Sequence, residues 1–269
     1  RIMPGACVRV APLVVLALAL PLVPGLAPGA RRLPASREGV LVPVLHNAAR
    51  ADLPRWLPAL VEEAGLATVS VSLRSPGDLE ALAGAVRALE RRGLAVGIGA
   101  STVMHAAAVP GVAAAGAAFV SSPHLDVSLV EAALSRDLTC VAGVATPSEA
   151  VRAVQSGAHV LKFFPASLAT PAVLATTLPA LAALDPAGGN PVQALAAGGL
   201  TPSTAAGFRA AGAHGAFFGC DAGAGPAEVL RTCRDFARAW GDAAVVGGGD
   251  PAAGLTHAAA AGLEERGGD

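Results

Sequence analysis

One lysine occurs in this chain. It is Lys162, in the run Gly157-Ala-His-Val-Leu-Lys162-Phe-Phe-Pro165-Ala-Ser, and every other one of the 19 Lys/Arg positions is arginine. Arginine replaces lysine well as a surface charge, but it keeps its proton and cannot attack a carbonyl. A lysine between apolar residues at the end of a strand-like stretch is different. Desolvation disfavours its ammonium form, and the free amine is a nucleophile able to form a Schiff base with a ketone. Other chemistries find less support. The four cysteines, Cys7, Cys140, Cys220 and Cys233, show no CxxC spacing and read as free thiols of a reducing, cytoplasmic compartment. The six histidines are dispersed without ligand spacing, so neither a metal nor another cofactor is expected.

The elements that must position Lys162 alternate along the chain. Strand-like stretches fall at Val40–Leu45, Thr68–Leu73, Ala95–Gly99, Ala118–Ser121, Thr139–Ala142, His159–Phe163, Val192–Ala196 and Gly215–Phe218. Helical spacing of apolar residues marks Pro76–Arg92, Leu125–Ser135, Pro147–Ser156, Ser203–Ala211 and Pro226–Trp240. Thr146-Pro-Ser-Glu149 and Thr201-Pro-Ser203 place a hydroxyl cap and a proline where helices begin. Eight strands with intervening helices predict a closed (β/α)8 barrel, an α/β fold. In Thr68-Val-Ser70-Val-Ser72-Leu, hydroxyls share one face and Val69, Val71 and Leu73 the other. A strand lined inside by polar groups and covered outside by helices gives that alternation, whereas an open doubly wound sheet tends to be apolar on both faces.

A hydrophobic fraction of 53% is ample for a large core. A net charge of −1, with scattered arginines and no basic stripe, argues against a nucleic-acid partner. Residues 1–38 read as an apolar extension ahead of the fold, translated upstream of its own start, or as a signal-like segment. In the second reading Arg9 precedes a short apolar core, cleavage falls near Ala30, and the protein is exported. The prolines within residues 8–30 and the short apolar core speak against a membrane-spanning helix. Regular patterning covers residues 39–242, and residues 243–269 read as a Gly/Ala-rich flexible tail.

The Lys162 run closely resembles the signature of the class I 2-keto-3-deoxy-6-phosphogluconate aldolases and of their 6-phosphogalactonate and 4-hydroxy-2-oxoglutarate relatives. From Val40 to Trp240 further stretches resemble the family in order: Val42-Pro-Val-Leu45, Val71-Ser-Leu-Arg74-Ser-Pro76, Gly99-Ala-Ser-Thr102-Val, Ser122-Pro123, Gly143-Val-Ala-Thr-Pro-Ser-Glu149, Ala197-Gly-Gly-Leu-Thr-Pro202 and Phe218-Gly-Cys-Asp221. The resemblance implies a Schiff-base aldolase that forms pyruvate and an aldehyde from a phosphorylated keto acid, assembled as a homotrimer. Lys162 would form the imine, Arg74 and Thr102 would hold the keto acid's carboxylate, and Pro123 would line the pocket. Gly198, Gly199 and Gly219 would surround the phosphate with backbone N–H groups, with Cys220 beside them.

Two departures accompany the resemblance. The family's acid/base glutamate on the second strand is Ser70 here, and losing a general base costs about 10²–10⁴-fold in rate. At the phosphate end Cys220 replaces a small hydroxyl residue, and Ala197 stands where the gluconate enzymes carry threonine. His46, where many relatives carry arginine, is the alternative base, because imidazole titrates near neutrality. His124 is a second histidine in a loop on the catalytic face, and His159 reads as structural. The competing reading is a degenerate barrel that binds a keto acid or a phosphate ligand without efficient turnover.

Overall fold

The computed structural model describes residues 32–158, 160–184 and 192–246, with side chains to residue 242. Eight parallel strands close a barrel in chain order. They are β1 (Val40–His46), β2 (Thr68–Ser72), β3 (Gly97–Ser101), β4 (Phe119–Ser121), β5 (Thr139–Val144), β6 (Val160–Phe163), β7 (Gln193–Ala197) and β8 (Gly215–Asp221). The helices are α1 (Leu53–Ala64), α2 (Asp78–Arg91), α3 (Val109–Ala114), α4 (Val127–Leu134), α5 (Pro147–Gln155), α6 (Pro171–Ala182), α7 (Pro202–Ala210) and α8 (Pro226–Val246). The caps expected at Thr146 and Thr201 form: each hydroxyl accepts the backbone N–H three residues on, and Glu149 or Thr204 reciprocates. Helices α1 and α6 escape the sequence pattern because Pro58 and Pro179 interrupt the helical signal, and α3 because its 6 residues are too few to show a period.

Strand alternation separates two apolar layers. Leu41, Leu45, Val69, Val71, Ile98, Leu161, Phe163 and Phe218 face outward and pack under the helices. Val40, Val42, Val44, Phe119, Val141, Val160, Leu195 and Phe217 fill the lumen, where the Phe119 and Phe217 rings meet edge to face at 6.4 Å. Ser70 and Ser72 lie on the face opposite Val69 and Val71, as the alternation in β2 predicts. The upper lumen is therefore lined by hydroxyls and the lower lumen by hydrocarbon.

The N-terminal boundary read at residue 38 falls inside a packed segment. Leu33 is only 3% exposed and belongs to the lumen cluster. Its N–H donates to Gln193 Oε1 at 2.9 Å, Gln193 Nε2 donates back to its carbonyl at 3.2 Å, and Thr68 Oγ1 donates to the Pro34 carbonyl at 2.9 Å. Residues 33–36 thus close the barrel floor. Sequence patterning missed them because a short extended plug has no period. A variant beginning at Gly39 is expected to lose about 3–5 kcal/mol, from one buried leucine and three hydrogen bonds. That corresponds to a thermal midpoint roughly 10 °C lower. A variant beginning at Arg32 retains the full midpoint, and equal midpoints for the two would show that the plug contributes nothing.

At the other end α8 runs through Gly241 to Val246, so the helix passes the boundary read at residue 242. The apolar run at residues 8–30, His159 and residues 247–269 lie outside the described residues. Among the described residues no helix is long and apolar enough to cross a membrane.

Candidate active site

Lys162 stands on the lumen face of β6 and is 5% exposed. Its Nζ donates to Ser121 Oγ at 2.7 Å and lies 5.6 Å from the Phe164 ring centroid and 5.5 Å from that of Phe217. Burial pushes the amine down to about 7. Cys140, the one group opposing that shift, is held as a thiol by burial, pushed up to about 12, and supplies no negative charge at neutral pH. A large fraction of Lys162 is therefore free amine near neutrality, as imine chemistry requires.

Ser70 faces the same lumen from β2. Its Oγ lies 2.5 Å from Ser101 Oγ and donates at 3.4 Å to the Gly99 carbonyl. The hydroxyl is fully buried, and its partners are neutral. Thr102, at the end of β3, adopts φ 61° and shares a 2.9 Å hydrogen bond with Ser72 Oγ. A β-branched residue in the left-handed region is strained, and such strain collects at functional sites.

Arg74 projects from the loop after β2 and is exposed at the mouth. That loop is organised by Asp78, the first residue of α2, which is 1% exposed. Asp78 Oδ2 accepts the N–H groups of Arg74 at 2.9 Å and Ser75 at 2.7 Å, while Oδ1 accepts that of Ala49 at 3.0 Å. One carboxylate thus ties the β1 and β2 loops together and fixes the backbone that carries Arg74. The sequence reading missed it because an aspartate in a first helical turn usually signals only a dipole contact.

At the opposite rim, Gly198 (φ 85°) and Gly199 (φ 74°) follow β7. A Cβ on Gly198 would lie 2.6 Å from the Phe164 ring, so glycine here lets that ring form one wall beside Lys162. Gly199 has open space around it, and Gly219 is exposed in β8. The three glycines sit at the C-terminal rim as expected for a backbone anion cradle. A Cβ on Gly219 would lie 3.2 Å from His46 Nε2, so the imidazole lies across the β8 end of this rim. His46 is lowered by burial and by the Arg74 guanidinium, against Asp221 and Asp78, and its Nδ1 is buried without a partner among the described residues. Pro123 reaches over the end of β5, where only a glycine at 143 leaves room for it. His124 is exposed, and its carbonyl accepts from Ser122 Oγ.

The thiol of Cys220 does not face this rim. Its side chain is turned outward, belongs to the layer beneath the helices, and lies beside Cys233 of α8. That contact and burial hold the thiol far above its ordinary range. Alternation along β8 explains the direction: Phe217 and Gly219 share the lumen face, so Phe218 between them and Cys220 one residue beyond face away. Ser121 and Ser101, conversely, were not among the expected site residues. The alternation Phe119-Val120-Ser121 carried the signal, because Phe119 and Ser121 share the lumen face.

A model of the Aldolase family, KDPG and KHG aldolase, matches residues 34–225. The chain belongs to this aldolase family. It is 31% identical over 177 residues to the 2-dehydro-3-deoxy-6-phosphogalactonate aldolase of Escherichia coli K12, covering 66% of this chain and 82% of that one. It is 32% identical over 132 residues to the 2-dehydro-3-deoxy-phosphogluconate aldolase of Pseudomonas aeruginosa, covering 49% and 58%. Among solved structures, a native KDPGal structure superposes with a TM-score of 0.66 at 26% identity, covering 76% of this chain and 96% of that one. The aldolase match begins at residue 34, within the floor-closing segment.

Proposed function

We propose that this family member is a Schiff-base aldolase that cleaves a 2-keto-3-deoxy-6-phosphoaldonate, or 4-hydroxy-2-oxoglutarate, to pyruvate and an aldehyde. The observation that carries this reading is the buried Lys162 amine, flanked by two aromatic rings in the barrel lumen. In this mechanism Nζ adds to the 2-keto carbon and the carbinolamine loses water to give an iminium. The C4 hydroxyl then loses its proton, the C3–C4 bond breaks, and its electron pair flows into the iminium as an enamine. Arg74 and Thr102 take the substrate carboxylate, beside Pro123. The N–H groups of Gly198, Gly199 and Gly219 take the phosphate. His46 lies at the phosphate end, with a largely neutral imidazole that can accept a proton there.

Saturating pyruvate with borohydride is expected to fix an irreversible adduct on the peptide containing Lys162 and nowhere else, read by peptide mass analysis. Absence of that adduct would remove the imine mechanism. The reduced thiols Cys140, Cys220 and Cys233 fit a cytoplasmic enzyme. A homotrimer is the assembly proposed from the family resemblance, and light scattering of the purified chain measures it.

A second reading has its own observation: the acid/base position holds Ser70, which is bonded to Ser101 and the Gly99 carbonyl and cannot titrate near neutrality. In that reading the barrel forms an imine but turns over poorly. Pyruvate release from the phosphorylated keto-deoxy acids separates the two.

A further inference from the structure

We propose that Ser121 is a catalytic residue, the hydroxyl that orients the Lys162 amine and exchanges protons with it during imine formation. The inference rests on the Schiff-base reading and supplies what that reading lacks, a proton carrier in contact with the reacting nitrogen. Ser121 Oγ is fully buried and accepts a 2.7 Å hydrogen bond from Nζ, which leaves the nitrogen lone pair free for attack. Among the described residues no carboxylate is bonded to Nζ, and the hydroxyl at the family's acid/base position is held by Ser101 and the Gly99 carbonyl instead. Ser121 accepts from Nζ and still carries its own hydrogen. The ladder pairs Ser101 with Ser121 across β3 and β4 and Gly143 with Lys162 across β5 and β6, so only β5 separates the serine pair from the lysine's strand.

The step balances without any further reagent. As Nζ bonds to the keto carbon, the carbonyl π pair moves onto oxygen. The nitrogen passes one proton to Ser121 Oγ while Ser121 passes its own to the new alkoxide. A neutral carbinolamine results and the serine is returned unchanged. A hydroxyl accomplishes this exchange without being ionised, because it gains one proton as it loses another. This differs from a carboxylate base, which stores the proton between steps. Ser121 therefore serves imine formation, and the later removal of the C4 hydroxyl proton falls to another group or to water.

The test is the rate of borohydride-trapped pyruvate adduct as a function of pH for the wild type, Ser121→Ala, Ser121→Thr and Ser101→Gly. The expected result is a loss of at least tenfold for Ser121→Ala across the profile, with the adduct still on Lys162. Ser121→Thr, which keeps the hydroxyl, recovers to within about threefold, and Ser101→Gly, which does not touch Nζ, stays within the same margin. Thermal unfolding accompanies each variant, and if Ser121→Ala does not fold, Ser121→Val, which matches Ser121→Thr in size but has no hydroxyl, carries the same comparison. Wild-type trapping rates and pH dependence in Ser121→Ala or Ser121→Val overturn the proposal while leaving the imine reading intact. Absence of trapping in the wild type overturns the imine reading, and this inference with it.

Discussion

Lys162→Met abolishes adduct formation with pyruvate and at the same time makes the barrel more stable at neutral and acid pH. In the unfolded chain the lysine titrates near its ordinary value of 10.5, and in the fold burial brings it to about 7. Between these values the unfolded chain binds the extra proton, so wild-type stability rises with pH from about 7 to 10.5 and is flat below about 7. The full cost of burying the ammonium is therefore present at acid pH. Lowering the amine from 10.5 to about 7 sets a ceiling of about 5 kcal/mol on that cost. Methionine fills similar volume without a charge and removes that slope. Unfolding by denaturant at pH 6 and pH 10 should show the variant ahead by several kcal/mol at pH 6 and close to the wild type at pH 10. Parallel pH profiles for the two proteins would mean that the amine is solvated and charged in the fold, and the nucleophile assignment would lose its physical basis.

Restoring the family's carboxylate at position 70 raises cleavage only when Ser101 is removed with it. Ser70 is fully buried and its Oγ is 2.5 Å from Ser101 Oγ, so Ser70→Glu alone drives a longer, charged side chain into an occupied space. Overpacking of that kind costs about 1–3 kcal/mol, and an ill-paired buried carboxylate costs more. Removing the Ser101 side chain opens the space that a glutamate at position 70 needs. The Ser70→Glu/Ser101→Gly double variant is expected to gain about 10²-fold or more in pyruvate release, the usual worth of a positioned general base. Its carboxylate should also raise the Lys162 titration, visible as a shift of the trapping profile to higher pH. A single Ser70→Glu as active as the double variant would show that Ser101 is no obstacle. No gain from either, with Lys162 still labelled, would leave the barrel as an imine-forming binding pocket.

Much of the site was legible because strand alternation and residue chemistry are local properties. The hydroxyl face of β2, the lone lysine and the glycine pair after β7 all stand in short stretches whose order along the chain maps onto a barrel rim. The outward direction of the Cys220 thiol was not read from its position along the rim. In a strand each successive side chain reverses direction, so one residue past Gly219 the side chain leaves the site and meets Cys233. The helices with internal prolines and the floor plug at Leu33 were lost for a related reason: neither produces a period that a linear pattern can register.

The sequence by itself determined the closed barrel, the single lysine on its sixth strand and the absence of a glutamate from the second strand. The tertiary structure alone decided which hydroxyl meets the amine, that Ser101 crowds the serine at position 70, and how a buried aspartate joins the β1 and β2 loops beneath Arg74. These contacts span 41 residues between Lys162 and Ser121, 31 between Ser70 and Ser101, and 29 between Asp78 and Ala49. Separations of that length are brought together by barrel closure and register. No local propensity encodes them, because the energy that fixes them is spread over the burial of the whole lumen and helix layer.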